Sequence, residues 1–230
     1  MTSPAPAPAA GADRPDVDLR PLLPATVPAQ GHRPLCLPFA LTGAHDALRH
    51  GASAPFAPEP IWWHCAQLGQ TTRYGVLLDQ AGDALVKTGQ PGAAVWPYNP
   101  SLGYGTEPPP ASAGTPPWQR AGWQDVHLAH DGVEDSVEDM LAASRPVVLI
   151  LEITDEFENA GADGTIAAPP ITAPAGDYHA VLAVGAATEP VHGRRLLIRN
   201  SWGQGWGAGG YGWLPLPYLV AFAGQAAVVS

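Results

Sequence analysis

"RNSWGQGWGAGGYGWLPL", residues 199–216, follows a short apolar run, Leu196–Leu197–Ile198, with a polar Asn and then interleaves Trp202, Trp206 and Trp213 with glycine. Glycine permits backbone shapes that tryptophan does not. Together they predict a sharp corner with a large aromatic lid folded over something. Upstream, "HAVLAVGA" (179–186) and "RRLLIRN" (194–200) read as strands, joined by a hairpin-like "ATEPVHG" (187–193). Pairing them antiparallel brings His179, at the mouth of the first strand, close to Asn200, at the end of the second. An imidazole held by an amide is the arrangement a Cys–His enzyme needs to orient its base. Trp202 would then lie over the His–Asn hydrogen bond and keep water off it. The bland alternative for His179 is a loop-capping histidine.

A nucleophile for that base is sought in the first half. "CLPFALTGAHDALRH" (36–50) carries Leu37, Leu41, Ala44 and Leu48 at helical spacing, with Cys36 at its start. Pro38 fits only in the first turn, where its missing N–H costs nothing. A thiol there feels the positive end of the helix dipole, which favours thiolate. A free cysteine is otherwise a small buried hydrophobe, and "WWHC" places Cys65 in that class.

Further helices are predicted at 60–70, 76–88 and 133–145, and a strand at "PVVLILEI" (146–153). The proline- and glycine-rich stretch 97–117 reads as an ordered loop or linker. A helical first half and a strand-rich second half imply an α+β protein with two lobes. The expected division is a Pro/Ala tail over 1–15, a mainly helical lobe over 16–120 carrying the nucleophile, and a β-rich lobe over 121–230 carrying His179 and Asn200.

Bulk composition narrows the function. Apolar residues make up 46% of the 230 residues, enough for a sizeable core. The net charge of −10 argues against nucleic acid and against an anionic membrane surface. No apolar run reaches the length of a membrane span, and the N-terminus lacks the basic and apolar segments of a secretory signal. Two cysteines are too few for a disulfide framework. These features predict a cytoplasmic protein with reduced thiols. His45 and His50, or His127 and His130, lack the partner ligands of a zinc site, so neither metal nor cofactor is expected.

The motifs, taken in order, resemble papain-like cysteine peptidases. "HAVLAVG" and "RLLIRNSWGQGWGAGGYGWL" are similar to that family's His and Asn regions. "VDLRPLLPATVPAQGHRPLCLPFALTGAHDAL" looks like its opening strand, its Gln-Gly and its nucleophile helix. "VLLDQAGDALVKTGQPGAAVWPYNP" is similar to a helix and Trp-Pro-Tyr turn of bacterial members. "VEDMLAASRPVVLILEI" resembles the helix-to-strand step that opens the second lobe. The resemblance covers about residues 17–220. His179 lies 143 residues after Cys36, within the family's usual spacing of about 130–150, and Asn200 somewhat beyond it, at 164.

The resemblance implies a papain-like two-lobe fold, with a helical lobe and an antiparallel β-barrel-like lobe on either side of a cleft. It implies Cys36 as nucleophile with a depressed pKa, His179 as base and Asn200 as its orienting amide. Gln30, six residues before Cys36, matches the family's oxyanion-hole glutamine; read alone it is an exposed loop residue. Leu37, Tyr178 and Trp202 are the expected substrate contacts, and a peptide or protein is the expected partner.

Departures from the family pattern are also legible. Arg33 stands where the first cysteine of a structural disulfide is usual, Leu37 where an aromatic follows the nucleophile, and Leu35 where a small residue precedes it. Leu35 and Leu37 could crowd the cleft. Fewer than 20 residues precede "VDLR", so a chain made without an inhibitory pro-segment is expected. Two other functions share these letters: a peptide-binding module that has lost activity, and an acyl transferase in which an amine replaces water at the thioester.

Overall fold

The computed structural model describes residues 14–49, 54–126, 132–169 and 176–230. The expectations that fall on the first 13 residues, His50, His127 and His130 lie outside them. In chain order the elements are β1 (Val17–Asp18), α1 (Cys36–Ala47), α2 (Glu59–Gln67), α3 (Leu78–Lys87), β2 (Trp123–Asp125), α4 (Val133–Ala142), β3 (Val147–Glu152), α5 (Asp155–Glu158), β4 (Tyr178–Glu189), β5 (Gly193–Arg199), β6 (Tyr211–Pro215), α6 (Leu216–Phe222) and β7 (Ala223–Val229). All seven strands join one antiparallel sheet in the order β2-β7-β3-β4-β5-β6, with β1 added alongside β4.

The strands read as continuous apolar runs because the sheet is covered on both faces. Side chains alternate across a strand. Val147, Leu149 and Leu151 of β3, with Val181 and Ala183 of β4, meet α4, α6 and Phe157 on one face. Val148 of β3, with Ala180, Leu182 and Val184 of β4, meets α1, α2 and α3 on the other. This second layer fixes the site. Leu37, Ala40, Leu41 and Ala44 seat α1 on β4, so the start of α1 lies beside the start of β4.

Local sequence sets the helix limits. Pro38 lies in the first turn of α1, where an N–H has no intrahelical partner. The helix stops at Ala47, earlier than residue 50, where Asp46 Oδ1 accepts from Arg49 Nη2 at 2.6 Å and from the Phe56 N–H at 2.9 Å. α4 stops at Ala142 rather than 145. Ser144 adopts a left-handed φ of 59°, and the Ser144 and Arg145 N–H groups return to Leu141 and Met140. Three strands and two helices were not predicted as such: β2, the one-turn α5, β6 and α6, which continue the aromatic corner, and β7.

Leu35 and Leu37 are corrected by the structure. Leu35 is fully buried with Phe39 and Trp62, and Leu37 sits in the core beneath α1. A residue preceding a helix on this sheet and one at its second position both point inward, so neither side chain crowds a cleft or offers a substrate contact.

Arg33 is the anchor of the loop before α1. Its guanidinium faces Glu59 through two hydrogen bonds, Nη1 to Oε2 at 2.6 Å and Nη2 to Oε1 at 2.9 Å, with both side chains fully buried. It also donates to the carbonyls of Asn99, Gly103 and Gly105 at 2.9–3.1 Å. The proline-rich stretch is thereby ordered against the loop that leads into α1. Removing one partner of a buried pair leaves the other charge uncompensated, at about 3–5 kcal/mol. Glu59→Gln should therefore lower the unfolding free energy obtained by urea titration by an amount in that range. Asp83→Asn, which breaks the exposed Lys87–Asp83 pair, should cost under about 0.5 kcal/mol.

Candidate active site

The glycine-rich corner is built from close approaches. Gly207 has φ 54°, and a Cβ there would meet the Tyr211 carbonyl oxygen at 2.3 Å. The turn folds 200–203 back so that the Asn200 N–H reaches the Gly210 carbonyl at 3.0 Å. Asn200, at the end of β5, then faces His179, near the start of β4. His179 Nε2 and Asn200 Oδ1 are 2.7 Å apart, and both residues are buried. The Ser201 N–H donates to the same Asn200 oxygen at 2.7 Å. That atom receives a backbone N–H, so it is the amide oxygen, and His179 Nε2 must carry the proton. Nδ1 is left as the basic nitrogen.

Trp202 covers this pair. Its ring lies 4.6 Å from the imidazole, centroid to centroid. Phe157 and Trp206 pack around Trp202 at 5.7 and 6.0 Å, both edge-on, and Trp206 Nε1 donates to the Phe157 carbonyl at 3.1 Å. Phe157 comes from α5, which no sequence pattern predicted. Tyr178 is 59% exposed beside His179, and its ring lies over Gly224.

Gln30 is joined to the same corner at both ends. Its N–H donates to the Ser201 carbonyl at 2.8 Å, and its Oε1 accepts from Ser201 Oγ at 2.5 Å. Its Nε2 donates to the Arg33 carbonyl at 2.8 Å, which uses one of two amide hydrogens. Tyr98 donates its hydroxyl to the Gln30 carbonyl at 2.6 Å. Gln30 is thus buried and fixed rather than an exposed loop residue. Ser201 and Tyr98, which hold Gln30 in place, were not singled out from the sequence. Ser201 stood inside the quoted "RNSWG", but a serine has too many ordinary roles to mark one.

Cys36 is the first residue of α1 and is partly exposed. Its sulfur sits beside the backbone N–H of Ala180, one residue after His179. Burial pushes the Cys36 thiol up, with partial relief from the N–H groups of Ala180, Leu37 and Cys36 itself. This corrects the expected depression: desolvation outweighs the helix start. Burial also pushes His179 down to about 4, against the opposing pull of the Asn200 hydrogen bond. The other candidates are accounted for elsewhere. Cys65 is fully buried, and burial raises its thiol to about 11. His45 bonds Gln90 at 2.9 Å and stacks on Phe56.

Residues 65–215 match the family model for papain family cysteine proteases. Over 33 residues the chain is 54% identical to a cathepsin L-like protein of Caenorhabditis elegans, a stretch covering 10% of that relative's length. Among solved structures it is similar to xylellain, a cysteine protease of Xylella fastidiosa, with TM-score 0.73 and 23% identity over 94% of this chain and 86% of that one. A Carica candamarcensis cysteine protease, solved in complex with E-64, has TM-score 0.70 and 21% identity over 94% and 97%. The likeness to these structures carries the papain-like fold, and among the described residues no helix is long and apolar enough to cross a membrane.

A neutral, sheltered imidazole has a measurable signature. The His179 ring should titrate near pH 4 by NMR. The unfolded ring takes up its proton near pH 6.5, so the unfolded state binds more protons between those values. Stability should be full above about pH 6.5 and fall, on the order of 3 kcal/mol, as pH drops toward 4. His179→Asn should flatten that slope in urea unfolding.

Proposed function

Because the chain belongs to the papain family of cysteine proteases, we propose that this peptidase cleaves amide bonds with Cys36 as nucleophile, His179 as base, Asn200 as orienting amide and Gln30 as oxyanion donor. The observation that carries the assignment is the hydrogen bond from His179 Nε2 to Asn200 Oδ1 beneath Trp202. It leaves Nδ1 basic, at the mouth of the strand whose next residue touches the Cys36 sulfur.

The steps follow from these positions. The thiol proton passes to His179 Nδ1 as sulfur adds to the carbonyl carbon. The oxyanion that forms accepts from the Cys36 N–H and from the remaining Gln30 Nε2 hydrogen. His179 returns the proton to the leaving amine, giving a thioester. Water, deprotonated by the same ring, then releases the acid and restores the thiol. Trp202 keeps water from competing for the His179–Asn200 bond. Substrate lies along the seam between the helical part, 16–120, and the sheet-bearing part, 121–230. The exposed Tyr178 ring and the edge of Trp202 flank it. Burial of Leu35 and Leu37 in the core supports an active enzyme over a peptide-binding relic, because the changed residues do not occupy the reaction space. The Arg33–Glu59 staple holds the nucleophile loop without a disulfide, which suits a cytoplasmic setting.

Cys36→Ala should abolish turnover of a mixed peptide library, and iodoacetamide should label Cys36 before Cys65. Gln30→Ala should lower kcat by about 10²–10³ with little change in KM, as for loss of an oxyanion donor. The acid limb of kcat/KM should fall near pH 4, where a protonated imidazole can no longer take the thiol proton. Turnover that survives Cys36→Ala would end this reading.

A further inference from the structure

Away from these residues a cavity of about 580 Å³ opens between the 23–28 segment, the outer face of α1, residues 55–58 and the end of β5. That volume is in the range of small-molecule sites, which are largely apolar with few polar groups. Phe39, Phe56, Pro28, Pro58 and Tyr98 supply apolar wall. Two charged side chains, Asp46 and Arg199, also line it, and each is more than nine-tenths buried.

The two are not equivalent. Asp46 is already paired with Arg49 at 2.6 Å and bonded to the Phe56 N–H. Arg199 pairs with no carboxylate among the described residues. Its Nη2 donates to the Pro24 and Thr26 carbonyls at 3.1 and 2.6 Å, while its Nε has no partner. Its Nη1 lies over Gly43, where a Cβ would come within 3.5 Å of it and within 2.9 Å of Leu182. Glycine at 43 therefore lets the guanidinium lie close against α1. Asp46 acts on Arg199 only through space, and its own ion pair is with Arg49, which lies outside the cavity lining. A buried cation without an anion is costly, and a guanidinium fork matches a carboxylate.

We propose that this cavity binds a small monocarboxylate bearing a compact aromatic or branched apolar group, its carboxylate on Arg199 and its tail against Phe39 and Phe56. A zwitterion fits less well, because Arg49 already answers the charge of Asp46. The inference goes beyond the peptidase reading and requires no turnover.

Isothermal titration of the full chain with 3-phenylpropanoate tests it, beside the neutral 3-phenylpropanamide, the zwitterion L-phenylalanine and inorganic sulfate. The expected result is one saturable site for 3-phenylpropanoate and binding at least about tenfold weaker, a loss of roughly 1.4 kcal/mol, for the other three. Arg199→Gln should remove the site. Ala93→Phe, which fills the cavity from its wall without touching a charge, should remove it too and keeps the test valid if Arg199→Gln does not fold. Equal binding of the amide, tighter binding of L-phenylalanine, equal binding of sulfate, binding that survives Ala93→Phe, or no binding to folded protein would each overturn the proposal.

Discussion

The hydrogen bond from His179 to Asn200 sets the terms for the rest of the structure. It joins residues on neighbouring strands, so it exists only in one register of β4 against β5. Because side chains alternate along a strand, a slip of one residue would turn every one of them to the other face. Leu196 and Ile198 would leave the α4–α6 layer, and Leu197 would leave the α1 layer. The register shift between Ala183 and Gly185 lies within this pairing, so it separates the hairpin end from the end that holds His179. Core burial on both faces thereby specifies the geometry of a polar pair at the strand ends. The His179–Asn200 pair is positioned by hydrophobic packing several residues away.

Polar accounting around that bond is nearly closed. Ser201 uses its N–H on the Asn200 oxygen, its hydroxyl on Gln30 Oε1 and its carbonyl on the Gln30 N–H. One residue therefore ties the Asn200 side chain to the Gln30 side chain. Gln30 is tied in turn to Arg33, and Arg33 to Glu59 and three loop carbonyls. A displacement at Glu59 has a continuous path of directed bonds to Gln30. The apolar side of the site follows the same logic. Phe157 and Trp202 pack against the imidazole with Trp206 behind both, and burial holds the ring neutral.

Much of this was legible in the letters, for identifiable reasons. Strands β3, β4 and β5 announce themselves as apolar runs because both faces are covered. His179 and Asn200 stood out because a polar residue at each end of such runs calls for explanation. The helix at Cys36 was readable from spacing and from the one position where Pro38 is tolerated. What escaped lacked a local signal. β7, "AGQAAVV", is rich in Ala with a Gly and a Gln, residues that do not favour strands, yet it lies between β2 and β3. Its place comes from tertiary pairing. The direction of Leu35 and Leu37 depends on which face of α1 meets the sheet, and no single segment encodes that. Phe157 belongs to a one-turn helix too short to show a period. The pKa of Cys36 turned on burial, which competes with the helix start and cannot be read from position in the chain.

Buried arginines show how the chain treats charge where water is excluded. Arg33 meets Glu59 through two hydrogen bonds. Arg194 meets Glu138 at 2.6 Å and Asp16 at 2.9 Å, and uses the Pro15 carbonyl as well. In both cases the guanidinium has anions on its fork and carbonyls on what remains, the arrangement that makes a buried cation tolerable. Arg199 has the carbonyls and feels Asp46 only through space, with no carboxylate of the described residues within ion-pair distance. Its burial is comparable to that of Arg194, each being 7% exposed, so a difference in solvent access does not explain the difference in pairing. What distinguishes it is the cavity on its open side. Among the described residues the other buried arginines each have a carboxylate within ion-pair distance, and its omission at Arg199, beside a largely apolar cavity, is what the proposed carboxylate ligand would answer.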